Sequence, residues 1–532
     1  MIKIPKIPAI PNDQLTPIVT DLLEILYLQK DVIQQLKDEI AILKGQKPKP
    51  DIKQSKLNKP ETEDSKNNDE NKDKKKRPGS DKRKKTAELK IHDTQIVKPD
   101  HIPKNSRFKG YDDFVVQDIK LESHNIKYRI ERWLTPEGDC IKGQLPSEIS
   151  TPHFGPTLVS YILQQHYQAH VTQPLILEEL RDIGVDISSG QLSRIITEMK
   201  EDFHKEKKDI LLAGLGVSNH INVDDTMARH KGKNGYCTHI GNELFAFFES
   251  TDSKSRINFL TLLGAGDVAY LINGDAIGYM LQQKLPKTPL GKISDLLFTK
   301  FENKKDLEVC LEGLGITNDR HIRIIIEGCL IGNIIENGFN KNMIIMSDDA
   351  GQFNVFVHTL CWIHTDRIVG KLIGFSDAQR QALDDKRSEI WNFYADLKKY
   401  KLSPDEIIKA QLDKRFDEIF KGDTCFATLN QTLKRIHRNK TELLLVLEHP
   451  HIPLHNNLSE NDIREYVKRR KISGSTRSDE GRKCRDTFTS LKKTCRKLGI
   501  SFWEFLKDRV LGKNEVPYLP DLIISKAQSE NP

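Results

Sequence analysis

Two pairs of adjacent aspartates stand at the carboxyl ends of apolar stretches, where side chains leave a strand for solvent. Asp224-Asp225 follows "INV", and Asp348-Asp349 follows "IIMS". Carboxylate oxygens are the hard ligands that Mg²⁺ prefers, and metal-assisted phosphoryl transfer uses two such ions roughly 3.5 to 4 Å apart. The pattern therefore predicts part of a divalent-metal site at one end of a sheet.

A third carboxylate is expected from a helix that crosses the sheet edge. The segment "NNLSENDIREYVKRR" supplies Glu460, and Arg464 and Lys468 follow it at intervals of four residues. Residues at this spacing share one helix face, so a metal ligand and two phosphate-binding cations would point the same way. An ordinary Glu–Arg helix pair, worth some tenths of a kcal/mol, has the same spacing, and both interpretations stay open.

Cys361 and His364 form a Cys-x-x-His pair after a short helix expected downstream of the second aspartate pair. A structural zinc site needs four ligands, and no spacing in the chain supplies the other two. The eight cysteines also contain no Cys-x-x-Cys. We interpret the pair as packing and hydrogen-bonding support for the strand that carries Asp348.

Composition narrows the class of protein. The 532 residues predict several domains, and no stretch approaches the roughly 18 consecutive apolar residues of a membrane span. The N-terminus has no apolar core of a secretory signal, so a cytoplasmic protein without a membrane partner is expected. The net charge of +7 is modest, but residues 464–497 hold 13 Lys or Arg against four acids, a concentration that would attract phosphate. Taken alone, such a charge run is more often an ordinary solvated helix face, and both interpretations stay open.

The first hundred residues predict a coiled coil followed by a disordered linker. Apolar residues recur with 4-3 spacing over 15–43, which predicts a coiled coil within residues 1–45 and a homo-oligomer, although the helix could instead pack on its own protein. Residues 46–105 are rich in Lys and poor in apolar residues, which predicts a disordered basic linker.

Residues 106–210 are expected to form a DNA-binding region. Alternation over 112–134 suggests a small antiparallel unit. In "ILEELRDIGVDISSGQLSRII", two helices meet at a glycine turn and Ser188 can cap the second, which is a helix-turn-helix pattern. Any two packed helices look similar, so DNA contact here is only one of two interpretations.

An α/β fold with a mixed sheet is expected from residue 211 onward. Strands are predicted at 220–226, 236–241, 243–250, 257–263 and 342–349. Short gaps between the early strands predict antiparallel hairpins, whereas the last strand arrives through helices and can pair in parallel. Residues 376–450 are helical by pattern, and a final helix-rich segment begins at Leu458.

Several motifs together resemble the bacterial insertion-sequence-66 transposases. They are "VDDTMARHKGKNGYCTHIG", "SDDAGQF", "CWIH", "NNLSENDIR" and "RKISGSTRSDEGRKCRDTFTSLKKTCRKLGISFWEFL". The resemblance implies a ribonuclease H-like catalytic core in two parts, 211–375 and 451–532, with residues 376–450 as a helical insertion. It also implies an Asp-Asp-Glu triad of Asp224, Asp348 and Glu460 that binds two Mg²⁺ or Mn²⁺ ions. Alternation places only one residue of each aspartate pair on a given face, which leaves Asp225 and Asp349 as the alternatives.

The implied function is DNA transposition by a nucleoid-associated enzyme that acts on transposon-end and target DNA. Cleavage and strand transfer would be its reactions, and six basic residues are expected to bind backbone phosphates: Arg464, Lys468, Arg469, Arg470, Lys471 and Arg477. A transposase-derived DNA-binding protein without activity and a ribonuclease H-like nuclease are the alternatives. The chain departs from the family in two ways. It has no Cys before Cys140 and so lacks the Cys-rich zinc-binding segment of many relatives, and it has Asp-Asp-Thr where Asp-Glu-Thr is more usual.

Overall fold

The computed structural model describes residues 91–103, 106–109, 111, 114–146, 153–266 and 268–530. The predicted coiled coil and most of the basic linker lie outside these residues. The chain divides into a unit up to Phe114 and a unit from Val115 onward. The described residues of the first unit contain no helix or strand. None of the helices that the structure describes is long and apolar enough to cross a lipid bilayer.

The second unit begins with a hairpin and four helices that precede the central sheet. The elements are β1 (Arg132–Leu134), β2 (Cys140–Lys142), α1 (Pro156–Leu163), which runs into a π-helical turn (Gln164–Gln168), α2 (Gln173–Asp182), α3 (Ser189–Thr197) and α4 (Glu201–Val217).

The middle of the chain forms most of the sheet and a helical excursion. The elements are β3 (His220–Met227), β4 (Tyr236–Gly241), β5 (Ala246–Thr251), α5 (Arg256–Leu263), β6 (Tyr270–Leu271), α6 (Gly274–Gln282), α7 (Lys287–Ser294), β7 (Lys300–Phe301), α8 (Lys304–Gly313), α9 (Asp319–Glu336), β8 (Ile344–Ser347) and β9 (Val357–Leu360).

The last part of the chain is helical. The elements are α10 (Trp362–Gly370), α11 (Asp377–Leu402), α12 (Glu406–Lys421), α13 (Ala427–His437), α14 (Lys440–Leu443), α15 (Asn457–Ser473), α16 (Asp479–Leu498), α17 (Phe502–Leu511) and α18 (Leu519–Glu530). The helical character predicted for 376–450 and for the segment after Leu458 is therefore confirmed.

The central sheet has five strands in the order β5-β4-β3-β8-β9. Strands β3, β4 and β5 form an antiparallel meander, and β8 and β9 run parallel to β3. This is the mixed α/β sheet that the sequence predicts, with the late strand β8 next to the first strand of the meander.

Three local predictions are wrong. Residues 257–263 lie in helix α5. The Ser255 side chain caps this helix by accepting from the backbone N–H of Asn258, and the buried residues Phe259, Leu260 and Leu263 follow helical spacing. A strand, β9, follows the short 3₁₀ turn Gly351–Phe353 where only a short helix was expected. The described residues of 112–131 form no strand, and the antiparallel unit is confined to β1 and β2.

The two helices of the predicted helix-turn-helix are present as α2 and α3. Ser188 caps α3 in a capping box, since its hydroxyl accepts from the backbone N–H of Gln191 while the Gln191 side chain accepts from the backbone N–H of Ser188. That this pair of helices enters a DNA groove stays a prediction.

Helix α16 covers the outer edge of β5 and supplies hydrogen bonds that a further strand would otherwise make. Thr494 and Ser490 accept from the backbone N–H groups of Ala246 and Phe248 at 3.2 and 2.9 Å, and Asp486 accepts from that of Ser250 at 2.8 Å. Side chains four residues apart on α16 meet N–H groups two residues apart on β5, because four helical residues rise about 6 Å and two strand residues rise about 6.6 Å. The edge is thereby closed to pairing with another chain.

Replacing Thr494 by Val is expected to destabilise the fold by roughly 1 to 3 kcal/mol. The hydroxyl both accepts from the N–H and donates to the carbonyl of Ala246, and an isosteric Val leaves both buried groups unpaired. Urea unfolding and faster hydrogen exchange at the Ala246 amide measure the effect. Thr432→Val, which removes only an exposed bond within α13, is the control, and equal losses in the two variants would contradict the role assigned to Thr494.

Candidate active site

Asp224 and Asp348 lie level with each other on neighbouring parallel strands. In the pairing of β3 with β8, His220 is opposite Ile344 and Asn222 is opposite Met346. Two residues further along each chain, the same register reaches Asp224 and Asp348. Asp224 lies within β3, just past the part that pairs with β8, and β3 continues to Met227 beside β4. Asp348 directly follows β8, and both carboxylates are partly buried at this edge of the rigid sheet.

Glu460 approaches this edge from α15, which is fixed to the sheet at its first turn by Asn456. The fully buried Asn456 side chain accepts from the Asn222 amide at 2.8 Å and donates to the carbonyl of Val223 at 2.8 Å. The backbone N–H of Asn456 donates to the Cys361 thiol at 3.2 Å. Asn456 therefore joins the strand of Asp224, the start of α10 and the helix of Glu460.

A buried histidine makes a second attachment between α15 and the sheet. His239 is the direct partner of Asp224 on β4, and its ring contacts Ser459 Oγ at 2.5 Å and lies 3.2 Å from Asp462 Oδ2. Burial alone raises the pKa of Asp462, but His239 and the Lys497 ammonium outweigh burial and hold that pKa well below its usual range. The residues on either side of Glu460 are thus anchored inside the protein.

The pKa of Asp224 reflects crowded negative charge. Burial raises it most, the nearby charges of Asp348, Asp225 and Glu460 raise it further, and a hydrogen bond from the backbone N–H of Asp225 partly opposes them, so that it reaches about 7. Such a carboxyl is partly protonated at neutral pH, and a bound cation would favour its ionised form. The carboxylates therefore fit a hard divalent ion by their chemistry.

Asp224→Asn is expected to raise stability at pH 8 in the presence of a chelator by about 2 to 4 kcal/mol, with little change at pH 4. The folded state keeps a proton up to pH about 7 that the unfolded state releases near pH 4, so the stability of the wild type falls between these values and levels off above them. Urea unfolding at both pH values measures this.

The control for this comparison is Asp349→Asn, at a more exposed carboxylate beside the same site. It is expected to stay within about 0.5 kcal/mol of wild type at both pH values. Parallel stability curves for wild type and Asp224→Asn would contradict the charge crowding at Asp224.

The second aspartate of each pair is engaged in holding a loop. Asp225 accepts from Thr238 Oγ1 at 2.5 Å and from Gln352 Nε2 at 2.9 Å, which links β3 to the turn after Asp348. Asp349 accepts from Asn439 Nδ2 at 3.3 Å and lies 3.7 Å from Arg435. This arrangement favours Asp224 and Asp348 over their neighbours as metal ligands.

Glu460 is paired with a guanidinium. Arg367 on α10 donates to its two oxygens at 2.8 and 3.3 Å, and His364 and Arg464 lie 3.7 and 3.9 Å away. Burial raises the pKa of Glu460, but these partners outweigh it and lower the pKa overall. In the part of the chain that the structure describes, no three His, Cys, Asp or Glu side chains are grouped closely enough to hold a metal ion as they stand.

Comparison with known proteins places these residues in a family. The model of the family described as "Transposase IS66 family" matches residues 328–484, a range that includes Asp348 and Glu460. The chain belongs to the IS66 transposase family. It is also 40% identical over 321 residues to an uncharacterized protein, y4jO, of Sinorhizobium fredii, which corresponds to 60% of this chain and all of that protein.

The Cys-x-x-His pair of this IS66-family chain has a structural setting that agrees with its interpretation as support. The backbone N–H of Cys361 donates to the carbonyl of Ser347 at 3.0 Å, directly before Asp348, and its thiol accepts from Asn456. His364 faces Glu460. Burial lowers the pKa of its ring, and the nearby charge of Asp348 partly opposes this shift. From the sequence, His364 is predicted only as support for the strand of Asp348, and Arg367 has no predicted role. Their position three and six residues after Cys361 on one helix was the available signal.

Two of the six predicted phosphate-binding residues face inward. Arg469 is buried and donates to the carbonyl of His166 at 2.9 Å, so it connects α15 to the π-helical turn and its assignment to DNA is wrong. Arg470 is partly buried and donates to Thr226 Oγ1 at 3.2 Å, at the end of β3. The other four are exposed: Arg464, Lys468, Lys471 and Arg477.

Much of the basic tail in this IS66-family chain is internal. Lys492 donates to Glu465 at 2.8 Å, and Lys493 and Lys497 lie 3.3 and 2.9 Å from Asp462. These lysines pair with carboxylates of α15 in the interior, where an unpaired charge is costly. The charge of residues 464–497 is therefore a poor measure of the field that DNA would meet.

Proposed function

We propose that this member of the IS66 transposase family is a DNA transposase that binds transposon ends and catalyses divalent-metal-dependent cleavage and strand transfer. The observation that carries the proposal is the level placement of Asp224 and Asp348 beneath the helix of Glu460, in a site where the pKa of Asp224 rises to about 7. The sheet order β5-β4-β3-β8-β9, with an antiparallel meander followed by parallel strands, supports a ribonuclease H-like core.

In this proposal Asp224, Asp348 and Glu460 hold Mg²⁺ or Mn²⁺ through carboxylate oxygens. Two such ions, held there by the carboxylates, would supply Lewis acidity to the attacking and leaving oxygens at phosphorus. Arg367 holds Glu460 in place on one side, and Asn456 and His239 hold its helix to the strand of Asp224. Asp225, through Gln352, orients the turn that follows Asp348.

The remaining residues are assigned to DNA and to assembly. The exposed Arg464, Lys468, Lys471 and Arg477 contact backbone phosphates, which adds affinity without sequence information. Helices α2 and α3 provide groove contacts at the transposon end, and residues 15–43 pair protomers so that two ends are held together. The enzyme acts in the cytoplasm on the nucleoid.

The deciding experiment combines purified full-length protein, Mg²⁺, a duplex carrying the terminal repeat that flanks the gene, and a target plasmid. Joining of the cleaved end to the plasmid supports transposition. Cleavage without joining would instead favour a ribonuclease H-like nuclease, and binding without cleavage a DNA-binding protein derived from a transposase. Either of these outcomes would overturn the proposal.

A further inference from the structure

We propose that the exposed basic face of α13, formed by Lys434, Arg435 and Arg438, binds the phosphate backbone of duplex DNA beside the candidate active site. This inference rests on the proposed function, because it concerns how DNA reaches the same carboxylates. It adds a contact surface in the helical insertion, on a different helix from the basic residues of α15.

The sequence of α13 fixes which face it presents to solvent. Leu429, Leu433 and Ile436 are buried in the insertion core, and this apolar stripe sets the rotation of the helix. Lys434 and Arg435 remain 64% and 58% exposed, and Arg438 follows as the exposed residue at the end of the helix. No Asp or Glu occurs within α13.

The end of α13 that carries these cations meets the loop of the candidate active site. Arg435 lies 3.7 Å from Asp349, and Asn439 donates to the same carboxylate at 3.3 Å. A small cavity separates this end of α13 from α10, with Arg435 and Asn439 on one side and His364 on the other. Asp349 directly follows Asp348, and His364 lies 3.7 Å from Glu460, so the end of α13 that carries Arg435 lies at the edge of the candidate active site.

The charges of the three residues are only weakly engaged inside the protein. Lys434 lies 3.6 Å from Asp423, but both side chains are well exposed and such pairs contribute little. Arg438 has no ion pair within the described part of the chain. Lys440 differs, because it contacts Asp413 at 2.8 Å and Asp417 at 3.1 Å and is therefore left out of the proposed surface.

A nucleic-acid backbone is the partner that this charge arrangement fits. A phosphodiester that approaches Asp224, Asp348 and Glu460 meets concentrated negative charge, and cations on the flank lower that repulsion along the rest of the strand. The residues reach outward from a convex helix and carry flexible side chains, which suits phosphates more than base edges. The contact should therefore be independent of DNA sequence.

The test is the full-length triple variant Lys434→Gln, Arg435→Gln and Arg438→Gln, with DNA affinity measured across a salt series. Two duplexes of equal length serve as probes, one with the flanking terminal repeat and one unrelated. We expect affinity to fall about 10- to 100-fold on both at moderate salt. The slope of log K against log salt should become shallower by about 2 to 3, close to one for each lost phosphate contact.

The matched control is the triple variant Lys399→Gln, Lys414→Gln and Lys421→Gln, which removes three well-exposed lysines from α11 and α12 of the same insertion. Its affinity and salt slope should equal those of the wild type. If the α13 variant fails to fold, Arg438→Gln alone should reduce the slope by about one. An unchanged slope in the α13 variant, an equal loss in the control, or a loss on the terminal-repeat duplex alone would overturn the inference.

The test of the α13 surface and the test of transposition can fail independently of each other. Wild type that binds DNA with a steep salt dependence but does not join ends would reject transposition and leave the α13 surface to be judged by its slope. Wild type that joins ends while the α13 variant binds normally would reject only the surface. Wild type that does not bind DNA would reject both.

Discussion

Asp348→Asn is expected to reduce DNA cleavage and strand transfer by roughly 10³-fold or more while leaving affinity for transposon ends near that of the wild type. The substitution removes a negative charge and a hard oxygen donor but keeps the volume of the side chain. Its amide oxygen can still accept from the backbone N–H of Ala350, which Asp348 Oδ1 does at 3.1 Å. Gel-based cleavage and joining assays, with affinity measured separately, give both quantities.

Asp349→Asn is the matched control, because it makes the same chemical change one residue later. Asp349 is more exposed and is held by Asn439 and Arg435, contacts that an Asn can largely keep, so activity is expected within about threefold of wild type. The reverse result, with Asp349→Asn inactive and Asp348→Asn active, would place the metal ligand one residue later. Activity in both variants would reject the carboxylate site on this loop.

The same two substitutions at Asp224-Asp225 distinguish a metal ligand from a residue that orients a loop. Asp224→Asn should be as inactive as Asp348→Asn. Asp225→Asn should retain substantial activity, because an Asn at this position can still accept from Thr238 and can exchange a hydrogen bond with Gln352. The difference between the two variants distinguishes a ligand from a residue that orients the loop.

The strands that carry the aspartates were predictable from local pattern. "HINVDDTM" and "NMIIMSDD" place β-branched and apolar residues before polar ones, and β3 and β8 form there with little deviation in their bounds. The pairing of β3 with β8 spans more than a hundred residues of intervening chain. The arrival of β8 through helices predicted that it can pair in parallel, but not which strand would be its partner.

Residues 257–263 show where local pattern fails. "INFLTLL" is apolar enough for a strand, but a short apolar run does not distinguish a strand from a buried helix. Ser255 caps the segment and Phe259 packs on Phe353, so capping and long-range packing select the helix. Strand β9 was missed for the complementary reason: "VHTL" is short, and its identity comes from pairing along β8.

The candidate site was predictable in the carboxylates proposed as ligands and less so in the residues that support them. Adjacent aspartates at strand ends and a glutamate on a later helix are visible in the chain. The contacts of Glu460 with Arg367, and the burial of Arg469 against His166, depend on how distant helices pack. A count of basic residues cannot separate buried partners of carboxylates from cations that face solvent.

Asn456→Ala is expected to destabilise the fold by about 2 to 4 kcal/mol and to reduce the turnover of cleavage more than the affinity for DNA. The change removes both side-chain hydrogen bonds of a fully buried amide, leaves the Val223 carbonyl and the Asn222 amide without this partner, and opens a small cavity. Urea unfolding gives the loss of stability, and cleavage kinetics at saturating DNA give the loss of turnover.

The functional part of this prediction follows from geometry, because Asn456 fixes the first turn of α15 to the strand of Asp224. Without it, Glu460 is held by Arg367 from α10 but no longer in register with β3. The Mg²⁺ concentration that gives half-maximal activity should therefore rise, a change that a uniform loss of stability does not produce. A double-mutant cycle with Asn222→Ala should show a coupling of roughly 0.5 to 3 kcal/mol between the two amides.

Asn457→Ala is the matched control, since it removes the same side chain from the next residue, which is exposed at the start of α15. It should change stability by less than about 0.5 kcal/mol and leave the Mg²⁺ dependence unchanged. If Asn456→Ala matched this control in Mg²⁺ dependence while losing stability, Asn456 would be a packing residue only. If the two variants agreed in both quantities, α15 would be held to the sheet chiefly by the contacts of His239 with Ser459 and Asp462, which lie one turn further along the helix.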